Sequence, residues 1–215
     1  MNINTILFDL DGTLVNTNEL IIASFRHTLD HYKPGTYGRE DIIQFIGPPL
    51  TESFRKVDPE RAEEMIEMYR QHNLSFHDEL IEEYEGVQET VDTLHKEGFK
   101  LAVVTTKRKQ TALMGIEVMG LSPYFSSIVT FDDVEEVKPN PEPLNQAMEA
   151  LGSRPDNTLM VGDSHYDILG GQNAGTYTAG VAWSIKGKEH LSSFKPDLML
   201  EKMPDLLKYV GVRVR

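Results

Sequence analysis

The 215-residue chain has no cysteine, carries 21 basic side chains against 34 acidic ones, and contains no apolar run long enough to span a bilayer. Each shortage excludes something. Without cysteine there is no disulfide scaffold and no thiolate-held metal or iron–sulfur cluster. A formal charge of −13 opposes broad contact with a phosphate backbone, so nucleic acid is not an expected partner. The densest apolar stretches, around Ile6-Leu7-Phe8 and Leu101-Ala102-Val103-Val104, fall far short of a membrane span. The N-terminus shows no cationic stretch followed by a long apolar one, so cytoplasmic residence and no membrane contact are the expectations. What remains is an ordinary globular composition, 40% hydrophobic and 26% charged, long enough for one domain with a sizeable insert.

Short β-favouring runs recur at residues 3–8, 101–105, 127–131, 158–161 and 177–181, with a weaker one at 198–200. Amphipathic segments separate most of them. Val87, Val91 and Leu94 form one stripe that stops at Gly98; Leu144, Met148 and Leu151 form another, with Gly152 behind it. This alternation predicts an α/β fold with a Rossmann-like parallel sheet, whose ligands bind at the carboxyl ends of the strands. Residues 16–84 break the alternation, with helical stripes instead: Ile21, Phe25, Leu29 and Tyr32, then Met65 or Ile66, Tyr69, Asn73, Phe76 and Leu80. Asp58 and Pro59 predict the start of the second long helix. The expected division is a core of 1–15 plus 85–215 and an inserted helical cap of 16–84. The insert holds seven lysines and arginines against fourteen acids, so it is no general anion trap.

Four segments carry chemistry. Asp9-Leu10-Asp11-Gly12-Thr13 follows the first strand, with two carboxylates at the position where a parallel sheet meets its ligand. Read as a calcium loop counted from Asp9, it puts Leu20 where the twelfth-position acid belongs, and that reading fails. Val103-Val104-Thr105-Thr106 ends the next strand with hydroxyls and runs into Lys107-Arg108-Lys109, of which at least two read as solvated cations at a helix start. Lys138 precedes Pro139 at the entry to another helix. Gly162-Asp163-Ser164 and Asp167 follow a fourth strand, with Gly162 as a permissive bend. Acids at several strand ends repel one another unless a cation joins them, and hard oxygen ligands without thiolate favour magnesium.

In this order, the four motifs resemble those of the haloacid dehalogenase superfamily, and the helical insert is similar to the C1 cap of its phosphoglycolate phosphatase and phosphoglucomutase branch. Longer strings, among them Asn16–Ser24, Phe45-Ile46-Gly47-Pro48, Ala179–Trp183 and Glu201–Leu207, resemble the inorganic pyrophosphatases of PpaX type, one subfamily. The resemblance implies Asp9 as nucleophile, Asp11 as general acid and base, and Thr105 with Lys138 as holders of the transferring phosphoryl. It implies Mg2+ held by Asp9, the main-chain carbonyl of Asp11, and Asp163, with Asp167 in direct or indirect support. Gly12, Thr13, Thr106 and, from the cap, Gly47 and Pro48 would contact substrate. The implied reaction is hydrolysis of pyrophosphate through an aspartyl-phosphate. Hydrolysis of a small phosphomonoester such as phosphoglycolate and sugar-phosphate mutation are the alternatives, and a silent phosphate-binding regulator is a distant one. A carboxylate at Asp11 argues against carbon–halogen cleavage. The expected partner is a small phosphate-bearing molecule, and the chain is expected as monomer or dimer. His165 fits two readings equally: a group steering the metal or leaving group, or a loop histidine among acids.

Overall fold

The computed structural model describes residues 2–212. Along the chain come β1 (Thr5–Phe8) and β2 (Val15–Asn16), then α1 (Asn18–Tyr32), α2 (Arg39–Phe45), α3 (Leu50–Val57), α4 (Ala62–Ser75) and α5 (His77–Leu80). After β3 (Glu82–Glu83) follow α6 (Val87–Lys96), β4 (Lys100–Val104), α7 (Lys109–Val118), β5 (Ser127–Val129), α8 (Glu142–Ala150) and β6 (Thr158–Gly162). The chain continues through α9 (His165–Ala174), β7 (Tyr177–Val181), α10 (Lys188–Ser192), β8 (Leu198–Leu200) and α11 (Asp205–Tyr209). It divides into two compact units, Thr17–Glu82 and the rest of the described chain.

The larger unit is built on a six-stranded sheet ordered β5-β4-β1-β6-β7-β8, every pair parallel. Taken in chain order, the strands run 3-2-1-4-5-6 across the sheet, the doubly wound arrangement. The strand order reverses between β1 and β6, which places a ligand crevice at the ends of β1, β4 and β6. β1 is buried along its whole length, as a central strand covered on both faces must be. One core layer packs Leu7, Ala102, Val104, Val129 and Met160 of the sheet against Leu144, Ala147 and Met148 of α8. Gly175, in the left-handed region at φ 74°, closes α9.

The smaller unit is helical, centred on Phe25 of α1. Its ring lies 5.8 Å from Phe45, 5.3 Å from Phe54 and 4.9 Å from Tyr69, so one aromatic side chain ties together α1, α2, α3 and α4. One expected boundary is corrected here: α4 begins at Ala62 rather than after Asp58. Asp58 instead terminates α3, its N–H donating to the Phe54 carbonyl at 2.9 Å, and Pro59 falls in the turn that follows. The stripe expected to run on through Phe76 and Leu80 is split, because α4 stops at Ser75 and α5 begins at His77. No helix among the described residues is long and apolar enough to cross a membrane.

Candidate active site

β1 delivers Asp9 as the first residue past its end, where the Asp9 N–H still donates to Val161 of β6 at 2.9 Å. β6 ends at Gly162, so Asp163 emerges beside it, and α9 starts at once and brings Asp167 back on its first turn. Asp9, Asp163 and Asp167 each offer a carboxylate oxygen within 4.8 Å of the others. Three acids this close, two of them buried, form a hard-oxygen donor set suited to a small divalent cation.

Lys138 is the cation built into this cluster. Its Nζ donates to Asp9 Oδ1 at 2.8 Å, Asp167 Oδ1 at 2.6 Å and the Val104 carbonyl at 2.7 Å, which uses all three ammonium hydrogens. Asp167 is held from its other oxygen by the N–H and hydroxyl of Ser164 at 3.0 and 2.6 Å, so it caps α9 while it faces Lys138.

Burial pushes the Asp9 carboxyl up to about 7, the Lys138 charge opposes the shift, and Asp167 and Asp11 add to it. Asp163 rises well above the usual carboxylate range, through burial first and then the charges of Asp9 and Asp167. Burial works against the charge on Lys138 too, but Asp167 and Asp9 outweigh it and hold its pKa above that of an ordinary lysine.

Two glycines permit this approach. Gly12, in the left-handed region at φ 79°, has the Asp163 carboxylate where a Cβ would stand. Gly162 has an unremarkable φ, and its role is space rather than the bend expected of it: a Cβ there overlaps the Asp167 carboxylate. Thr13 is fully buried, and its hydroxyl has no hydrogen-bond partner among the described residues. Thr105 follows β4, donating its N–H to Val129 at 2.9 Å, with Thr106 next to it. Asp9, Asp11, Gly12, Thr13, Thr105, Thr106, Lys138, Asp163 and Asp167 thus all belong to the larger unit. Gly47, at φ 110°, and Pro48 belong to the helical one, between α2 and α3.

The sequence did not single out Lys107. Its Nζ lies 2.9 and 3.2 Å from the two carboxylate oxygens of Asp11, so Asp9 and Asp11 face different lysines. Nothing in the run Lys107-Arg108-Lys109 marks which cation turns inward; the register of β4 decides it. His165 opens α9 and is half-buried, so it is not an exposed loop histidine, although Asp167 still acts on it. Its ring stacks on Phe194 at 5.1 Å, beside His190 and Tyr166, and burial lowers its pKa, assisted by Lys186 and His190.

The model of the family described as haloacid dehalogenase-like hydrolase matches residues 6–181. A protein of Halalkalibacterium halodurans named Pyrophosphatase PpaX is 60% identical over 215 residues, the whole of both chains. A protein of the same name from Anoxybacillus flavithermus is 59% identical over the same full length. Among solved structures, a haloacid dehalogenase-like hydrolase from Streptococcus pneumoniae superposes with a TM-score of 0.87 at 24% identity, covering 97% of this chain and 98% of its own, a likeness of fold. With the motifs, the sheet order and the matched span in agreement, the chain belongs to the haloacid dehalogenase-like hydrolases.

Proposed function

We propose that the chain hydrolyses inorganic pyrophosphate to phosphate in a magnesium-dependent reaction that passes through an aspartyl-phosphate on Asp9. The observation that carries the choice of substrate is the 60% identity, end to end, to a protein named Pyrophosphatase PpaX. The geometry of the core unit supports the chemistry.

Asp9 is the nucleophile. Its carboxylate oxygen attacks phosphorus, the bridging P–O bond breaks, and one phosphate leaves while the other remains as an acyl phosphate. Asp11, two residues on, gives a proton to the leaving oxygen and then takes one from the water that hydrolyses the acyl phosphate, releasing the second phosphate and restoring Asp9. The Lys138 ammonium, fixed by three acceptors, opposes the negative charge gathered at the reacting phosphoryl, and the Thr105 hydroxyl holds one of its oxygens. Gly12, Thr13 and Thr106 line the same strand ends.

The clustered carboxylates of Asp9, Asp163 and Asp167 suit a magnesium ion, which would be held by the side chains of Asp9 and Asp163 and the main-chain carbonyl of Asp11, with Asp167 in support while it bonds Lys138 and Ser164. When bound, magnesium supplies positive charge that lets neighbouring carboxylates ionise together and offsets the charge of the phosphate oxygens. On the same reading the helical unit is the family's cap, Gly47 and Pro48 contribute to substrate choice from it, and the enzyme works in the cytoplasm on a small phosphate-bearing substrate.

The test is phosphate release from pyrophosphate, phosphoglycolate and β-glucose 1-phosphate, with magnesium and with chelator. Pyrophosphate should be the best substrate, chelation should stop turnover, and D9N should abolish it. Pyrophosphate ranking last would overturn the substrate assignment, and substantial turnover by D9N would overturn the covalent route.

A further inference from the structure

The three consecutive cations after β4 face different ways. The Arg108 guanidinium lies over the Phe131 ring at 5.9 Å, Lys109 bonds Asp133 at 3.1 Å, and both side chains are more than half exposed. Lys107 turns inward, its side chain 9% exposed. Its backbone is fixed on both sides: the N–H donates to Thr105 Oγ1 at 3.1 Å, and the carbonyl accepts from the Phe131 N–H at 3.0 Å. A lysine held this way gives up most of the rotamer freedom of its long side chain. A largely buried ion pair returns little, because the desolvation of both charges offsets much of their Coulomb attraction. Stability alone is therefore a thin reason for the arrangement. Lys138 has every ammonium hydrogen committed to a different acceptor, whereas among the described residues Lys107 spends its ammonium on one carboxylate, that of Asp11.

We propose that Lys107 is a specificity-determining residue: its ammonium receives the phosphoryl group that is not transferred, and so selects a diphosphate over a phosphomonoester. The inference rests on the pyrophosphatase reading, in which Asp11 serves the bridging oxygen. Whatever is bonded to the far side of that oxygen lies next to Asp11, and the cation beside Asp11 is Lys107. With pyrophosphate the far group is an anionic phosphate; with a simple monoester it is the carbon of an alcohol. Charge builds on the departing phosphate as the bridging bond breaks, and a fixed ammonium stabilises it most at that stage. The second phosphate also offers Lys107 an anion in place of the Asp11 carboxylate, leaving Asp11 to reach the bridging oxygen.

The experiment compares wild type, K107M, K107R and K109M in the full-length protein with magnesium present. Two quantities are read: the ratio of kcat/KM for pyrophosphate to that for glycerol 2-phosphate, and calorimetric binding of methylenediphosphonate, whose P–C–P link is not hydrolysed. Loss of a charge-assisted contact predicts that K107M lowers the ratio about tenfold or more and weakens diphosphonate binding by a similar factor. K107R should recover much of both, and K109M should move neither. Equal losses on the two substrates with unchanged diphosphonate binding would mean that Lys107 only positions Asp11, and would overturn the proposal, as would an unchanged ratio in K107M. Failure of the wild type to hydrolyse pyrophosphate would sink the underlying reading instead. The diphosphonate calorimetry would then still decide whether Lys107 holds a second phosphoryl group.

Discussion

A methyl group added at Gly162 overlaps the Asp167 carboxylate, whereas one added at Gly170 finds its nearest neighbour, Lys138 Cγ, at 3.5 Å, an ordinary contact. The two positions therefore respond to alanine with opposite signs. In G170A the methyl enters the interior of α9 without strain, and relief of glycine's entropy cost should stabilise the protein by about 0.5–1 kcal/mol. In G162A the Asp167 side chain has to leave, and with it go a ligand of Lys138 and the cap of α9. Overpacking of that kind costs about 1–3 kcal/mol, and turnover should fall sharply because the Lys138 ammonium is no longer held from both sides. Thermal midpoints and kcat for the two variants check this, and equal behaviour would remove the close-packing account. The sequence marked Gly162 by its place between a strand and two acids but gave the wrong reason for it. Backbone freedom is visible in a motif; the space a neighbouring carboxylate needs is not. Lys107 was obscured for a related reason, since three adjacent cations look alike until the strand before them fixes which one points in.

At the scale of elements, β1 and β6 were readable because burial on both faces favours apolar runs, and the β-favouring stretches at 177–181 and 198–200 match β7 and the edge strand β8 residue for residue. The start of α4 was not, because Asp58 is suited to two jobs and the local sequence does not rank them. Having closed α3, it accepts from the Arg61 guanidinium at 2.8 Å and lies 3.2 Å from Lys33 Nζ, so one carboxylate joins the end of α1 to the turn before α4. The Arg61 hydrogen bonds, then those from Lys33, lower its pKa to about 2. A carboxyl whose folded pKa lies below its unfolded value contributes stability that is fully present above the unfolded pKa and disappears as the pH falls through the folded one. The window here runs from about 4 down to about 2. D58N should melt below wild type at pH 6, and the gap should close as the pH drops across that window. Circular dichroism melts at a series of pH values measure it, and a gap that persists unchanged to pH 2 would assign the effect to shape rather than charge.

Across the whole molecule, the charge of −13 and the acidic cluster are distinct problems with distinct remedies. Surface acids are screened by water and salt. Asp9 and Asp163 are not, and the larger unit offers them Lys138 and, for Asp11, Lys107. This leaves the Asp9 carboxyl raised to about 7 and Asp163 raised as well, so between the usual carboxylate range and about 7 the folded chain binds more protons than the unfolded one. Stability from these two groups therefore falls as the pH rises through that window when no divalent cation is supplied. Magnesium requires the ionised carboxylates, so its binding strengthens over the same interval and acts in the opposite direction. At a concentration a hundredfold above Kd, a ligand of the folded state adds about 2.7 kcal/mol, on the order of 5–10 °C in Tm for a chain of this size. Melting curves with magnesium and with chelator should accordingly lie close together near pH 5 and separate by that amount near pH 7.5. D163N removes one acid of the cluster, so it should melt higher than wild type in chelator and gain little from magnesium. A magnesium shift of full size in D163N would show that the ion stabilises the protein elsewhere, and would take Asp163 out of the metal site.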